Sequence, residues 1–81
     1  MLIPIVNNSL AIFSSDNINY RLQITRIETE FLHLFKIFSS CGSRFEFNIV
    51  KDDDSVEWLD KPDKAPDNLL NEIVVIARNK T

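Results

Sequence analysis

Cys41 and His33 are the chain's only thiol and only imidazole. A thiolate–imidazolium couple is the most reactive chemistry they could make together. Eight positions separate them. Along one strand that is about 26 Å at 3.3 Å per residue, and along one helix about 12 Å. Neither spacing allows the hydrogen bond the couple needs, so the dyad is excluded unless a second copy supplies one member. Zinc is excluded by the same inventory, since one Cys and one His do not complete a tetrahedral site. Cys41 reads as a turn residue and His33 as a residue on an element face, satisfied by a neighbour.

The carboxylates are the next candidates. Asp52, Asp53, Asp54 and Glu57 could approach a divalent cation, but a calcium loop alternates its ligands and needs a glycine at its sharp turn. Neither feature is present. Hydrolysis by paired carboxylates needs one acid in an apolar pocket. Glu46, between Phe45 and Phe47, is the local candidate, and strand alternation points it to solvent. A single glycine cannot make a phosphate-cradling loop. The run Arg44-Phe45-Glu46-Phe47-Asn48-Ile49-Val50 alternates aromatics as an RNA-binding strand would. It lacks glycines, has a carboxylate between its rings, and belongs to a chain of net charge −3. Phosphate recognition wants clustered Lys and Arg. The expectation is no enzyme, no cofactor, no metal and no nucleic acid.

Charge distribution points elsewhere. Residues 1–50 balance four basic against four acidic side chains, whereas residues 51–72 hold eight acids against three lysines. A basic protein partner suits such a surface. Trp58 lies inside the acidic stretch, and a large aromatic ringed by carboxylates matches a binding hot spot with a steering rim. Asp52, Asp53, Asp54, Glu57, Trp58 and Asp60 are therefore the predicted partner-binding residues. The alternative is that Trp58 and Leu59 merely cover the core.

The elements that must position these residues are those of one small domain, residues 1–81. The longest apolar runs fall far short of the roughly 20 residues needed to span a bilayer. A lone cysteine excludes an internal disulfide and suits a reducing compartment. A soluble, cytoplasmic protein without membrane contact is expected.

Leu2-Ile3-Pro4-Ile5-Val6 is a short edge-strand candidate, because Pro4 lacks a donor. Asn7-Asn8-Ser9 reads as a turn, residues 10–13 as a second short strand, and Ser14-Ser15-Asp16-Asn17 as another turn. Ile18, Tyr20, Leu22 and Ile24 then alternate with polar residues, the signature of a half-buried strand.

Five of the six phenylalanines follow by residue 47, and their segment has two readings. Thr25-Arg26-Ile27-Glu28 can form a capping box that opens a helix stopped by Gly42. Alternatively, residues 31–38 and 45–50 form a hairpin with Gly42 in its turn. A two-residue turn pairs Phe38 with Phe45 and Leu34 with Ile49. One more loop residue pairs Ile37 with Phe47 and Phe35 with Ile49. As a strand, 31–38 is apolar on both faces, which predicts an exposed apolar patch unless it is central and fully covered. Asp54 and Glu57 predict a short helical turn around Trp58. Pro66, Asp67 and the apolar arc from Leu69 to Ala77 predict a helix over about 67–79, with Val75 misplaced.

The predicted fold is α+β: a small antiparallel sheet of four to five strands within residues 2–50, and a C-terminal helix packed on one face. The predicted function is a small acidic protein-binding module, of inhibitor, immunity or antitoxin type, that blocks a basic partner. The alternative is a structural or accessory subunit that forms a homodimer or docks into a larger assembly through its apolar sheet face.

Overall fold

The computed structural model describes residues 5–79. Five strands, β1 (Ile5–Ser15), β2 (Ile18–Glu28), β3 (Leu32–Ser39), β4 (Arg44–Val50) and β5 (Val56–Asp60), precede one helix, α1 (Asp67–Asn79). The strands form one antiparallel meander in the order β1-β2-β3-β4-β5. This is the small α+β fold expected, with the helix at the predicted bounds. The fifth strand lies beyond residue 50.

The polar residues of the first strand do not turn. β1 pairs with β2 without interruption, from Ile5 opposite Glu28 to Ser15 opposite Ile18. Thr25 Oγ1 donates to Asn8 Oδ1 across the ladder at 2.9 Å, so this asparagine is satisfied inside the sheet. The expected turn at Asn7-Asn8-Ser9 is thereby corrected. Leu2, Ile3 and Pro4 lie outside the described residues. The β1–β2 hairpin closes through Asp16 and Asn17, both left-handed at φ 51° and 64°, as a two-residue turn matched to strand twist requires.

The 25–38 segment is sheet, not helix. Its first turn lacks Gly, Pro and Asn, and Thr29 replaces them. The Thr29 N–H donates to the Leu32 carbonyl at 2.9 Å, and its hydroxyl accepts from the Leu32 N–H at 3.2 Å. Phe31 is left in this turn, largely exposed. In the next hairpin the loop is Ser40-Cys41-Gly42. Gly42 N–H donates to the Ser39 carbonyl at 3.0 Å, and Ser39 N–H to the Ser43 carbonyl at 2.9 Å. Gly42 has φ +93° with open space where a Cβ would stand, so its requirement is conformational. This loop overturns both expected registers: Ile37 faces Phe45, Phe35 faces Phe47, and Phe38 faces Arg44.

The short helical turn around Trp58 is also corrected, since those residues form β5. Asp54 adopts φ +56°, outside the extended geometry of a helix N-cap. Phe47 and Trp58 are cross-strand partners with ring centroids 4.8 Å apart. A register irregularity between Glu46 and Phe47 leaves Leu59 without an opposite residue.

Alternation sends Ala11, Leu22, Ile24, Phe35, Ile37, Phe45, Phe47 and Ile49 to one face. There they pack against Leu70, Ile73 and Ala77 of α1. Val75 points away, exposed as its position on the arc predicts. Among the described residues, the other face carries no helix. β3 is the central strand, with one side covered and Phe38 on the other about half exposed.

Candidate functional site

The acidic segment is divided by its own strand. Asp52, Asp53 and Asp54 occupy the β4–β5 turn and are exposed. Asp53 Oδ1 accepts the Ser55 N–H at 3.1 Å, which holds this carboxyl below its ordinary range. The Asp54 carbonyl accepts Arg78 Nη2 at 3.1 Å, tying the turn to the last turn of α1. Glu57 stands opposite Asn48 and Asp60 opposite Glu46. Asn48 and Glu46 share the helix-free face, and the extra residue at Leu59 returns Asp60 to the side of Glu57.

Trp58 goes the other way. It faces the core side, partly buried, against Phe47 and at 6.5 Å from the Phe45 ring. The structure therefore puts Glu57 and Asp60 on one face, sets Asp52, Asp53 and Asp54 at the end of the same strand pair, and turns Trp58 onto the opposite face. Glu46 is the residue that the sequence reading left out of this group. The Phe45-Glu46-Phe47 alternation was its signal.

Neighbouring strands give this face a charge pattern. Lys36 lies opposite Glu46, and Arg44 opposite Phe38 with its guanidinium 6.0 Å from the ring. A hollow of about 260 Å³ is lined in part by Lys36, Phe38, Arg44, Glu46 and Asp60. Among the described residues, Glu46, Glu57 and Asp60 make no ion pair.

At one end of the sheet, Lys51 Nζ donates to Glu28 Oε1 at 3.0 Å, and Arg26 lies 3.9 Å from the same carboxylate. The Lys51 hydrogen bond is the main cause that lowers the Glu28 pKa. His33 faces Glu28 across the ladder, and its Nδ1 is buried without a hydrogen-bond partner. Burial lowers its pKa below 6.5 and outweighs the opposing pull of Glu28. His33 is thus not satisfied by a neighbour as the sequence suggested. It sits at the far end of β3 from Cys41, so the dyad remains excluded.

Cys41 has chemistry that the sequence reading did not assign. Its sulfur lies 2.9 Å from Ser39 Oγ and 3.5 Å from Ser43 Oγ. Ser39 Oγ already accepts the Ser43 N–H at 3.2 Å, leaving its own proton free for the sulfur. A thiolate can only accept, so these hydroxyls favour it and bring the Cys41 pKa down from 9.0 to about 7. The signal was the Ser39-Ser40-Cys41-Gly42-Ser43 hairpin, with a hydroxyl two residues to either side. The rate of alkylation by iodoacetamide should follow a pH midpoint near 7. Ser39→Ala should move that midpoint upward, and a wild-type midpoint near 9.0 would disprove the assignment.

Among the described residues, no three His, Cys, Asp or Glu side chains are placed to hold a metal ion. No described helix is long and apolar enough to cross a membrane. No known protein family, curated protein or solved structure matches the chain.

Proposed function

We propose that this protein is a small acidic binding module, without catalytic chemistry of its own, that blocks a basic protein partner in the manner of an inhibitor, immunity or antitoxin-type protein. The contact surface is the acidic side of the helix-free face: Glu46, Glu57 and Asp60, with Asp52, Asp53 and Asp54 as a rim that steers the approach. Trp58 supports it from beneath by fixing β5 on Phe47.

One observation carries the reading. Asp60 lies directly opposite Glu46, and like charges in that relation weaken a sheet. Among the described residues no cation neutralises them within ion-pair distance. A repulsive pair that contributes nothing to folding is well placed for a cationic partner.

The test is capture of basic proteins from the source cell by the wild type and by a Glu57→Lys, Asp60→Lys variant. Wild-type capture should weaken steeply with salt, and the variant should lose affinity about tenfold or more. Asp60→Asn should fold with undiminished thermal stability, since it removes repulsion. Equal capture by both proteins, insensitive to salt, would sink the proposal.

The exposed apolar residues of the same face favour a second reading, an accessory subunit docked into a larger assembly. Leu10, Ile12 and Phe38 are 73%, 68% and 49% exposed there. Salt-insensitive binding that survives the lysine substitutions but fails in Phe38→Asp would select it.

A further inference from the structure

The two edges of the sheet are built to opposite specifications. β5 has five residues and a bulge, and it ends at Asp60-Lys61-Pro62. Short length, charge, proline and bulges are the devices that keep an edge from pairing with another chain. β1 has none of them. It is eleven residues long, in unbroken register, with no charged side chain and no proline between Ile5 and Ser15. Among the described residues it pairs with β2 alone, and Ile5, Val6, Leu10 and Ile12 are all more than half exposed.

The hairpin geometry fixes which backbone groups of this edge are free. Closure of the two-residue turn by Ser15 and Ile18 directs the N–H and C=O groups of odd-numbered β1 residues toward β2. Those of Val6, Asn8, Leu10, Ile12 and Ser14 point outward.

We propose that β1 pairs antiparallel with β1 of a second copy of this chain, about a two-fold axis through Ser9, giving one continuous ten-stranded sheet. In this register Asn8 lies opposite Leu10 of the other copy, Val6 opposite Ile12, and Ile5 opposite Phe13. Every outward backbone group from Val6 to Ile12 then finds its complement within the same set. Val6 and Ile12 cover each other on the helix-free face, twice by symmetry. Ser9 meets its own counterpart at a position of the ladder where Cα atoms approach to about 4.5 Å. Ser9 Oγ is buried without a hydrogen-bond partner, and a χ1 rotation lets one hydroxyl donate to the other. An axis through Ala11 instead sets Ser9 against Phe13 and leaves its hydroxyl unpaired.

Charge favours the same occupant. Each copy carries net charge −3, but none of it is on β1. The acidic β5 edge lies four strand spacings away, so the two acidic edges end about 40 Å apart at 4.8 Å per strand. That is far beyond the screening length of roughly 8 Å in physiological salt. The contact uses neither the acidic side nor the proposed basic partner, so either inference can fail without the other.

The test uses the full chain carrying Cys41→Ser, which removes its native thiol. Light scattering from micromolar to sub-millimolar concentration should approach twice the 9.4 kDa chain mass. Ile12→Lys places a charge on the edge without touching the core and should restore the monomer with unchanged circular dichroism. Ser9→Cys should cross-link into a covalent dimer on mild oxidation. Asn7→Cys, offset from its own counterpart, should not. A monomer throughout the range overturns the dimer, and a dimer that survives Ile12→Lys overturns the edge contact. Cross-linking of Ser9→Cys no faster than that of Asn7→Cys overturns the axis.

Discussion

Replacing Phe47 by alanine is expected to destabilise the protein by about 3–5 kcal/mol, the range for removing a fully buried aromatic. Phe47 is 0% exposed. It stacks on Phe35 at 5.1 Å on one side and meets Trp58 at 4.8 Å on the other. Those rings belong to β3 and β5, its partners across both ladders. One side chain thus joins three strands, and the cavity it leaves cannot close without shifting all of them. A chain of 81 residues has about 4–12 kcal/mol of total stability at typical per-residue values. The variant should therefore lose between about a quarter and all of that stability. Phe38→Ala is the control. The same residue type on the helix-free face is 49% exposed, and its loss should cost about 1 kcal/mol or less. Urea unfolding followed by Trp58 fluorescence measures both. Equal losses would mean that the helix-covered face is not the core.

The second large effect is expected from the helix. Ile73 is 0% exposed, so Ile73→Asp removes apolar contact and puts a carboxylate into the apolar layer between α1 and the sheet. An unpaired buried charge costs several kcal/mol, and the protein should have no cooperative fold at neutral pH. Burial raises the pKa of such a carboxyl in the folded state. The penalty is therefore full above the folded pKa, shrinks as the pH falls from there toward the unfolded pKa, and is gone below it. Partial refolding on acidification is the signature to look for. Val75→Asp, two positions on, changes a side chain that is 55% exposed and should leave stability within about 0.5 kcal/mol. If the two variants unfold alike, α1 does not present Ile73 to the sheet.

The contrast between those two positions was legible in the sequence, because a helix writes its buried face into local spacing. Pro66, Asp67 and the arc from Leu69 to Ala77 located α1, and Val75 stood out as misplaced. The sheet was legible in part. Alternation marked β2, and Asp16 and Asn17 marked its turn. The 31–50 segment kept two readings because Thr29 turns the chain with its side chain, which composition does not announce. The hairpin register escaped because Ser39 and Ser43 fix the loop, whereas Gly42 only permits it. β5 escaped because its evidence is non-local: Trp58 is strand because Phe47 lies across from it, with the Phe45 ring 6.5 Å away.

The candidate site shows the same division. The cluster from Asp52 to Asp60 was visible as composition. Which of its members share a face was not, because that depends on the pairing of β5 and on one bulge at Leu59. The bulge keeps Asp60 beside Glu57, while alternation turns Trp58 away. Glu46 joins them from β4, through a pairing no sequence window contains.

The meander has a consequence for the order in which the molecule is made. Each strand pairs with the one synthesised just before it, so the sheet can grow strand by strand as the chain emerges. The helix-facing side of that sheet, with Phe35, Phe47 and Ile49, has no cover until Asp67–Asn79 follows. A chain whose residues up to 66 have left the ribosome would thus present an oily surface on one side of a complete sheet, the state in which newly made proteins most readily stick to one another. Ribosome-bound chains ending at residue 66 or at residue 81, each followed by a spacer long enough to clear the exit tunnel, should differ sharply in chaperone crosslinking, with the shorter one held.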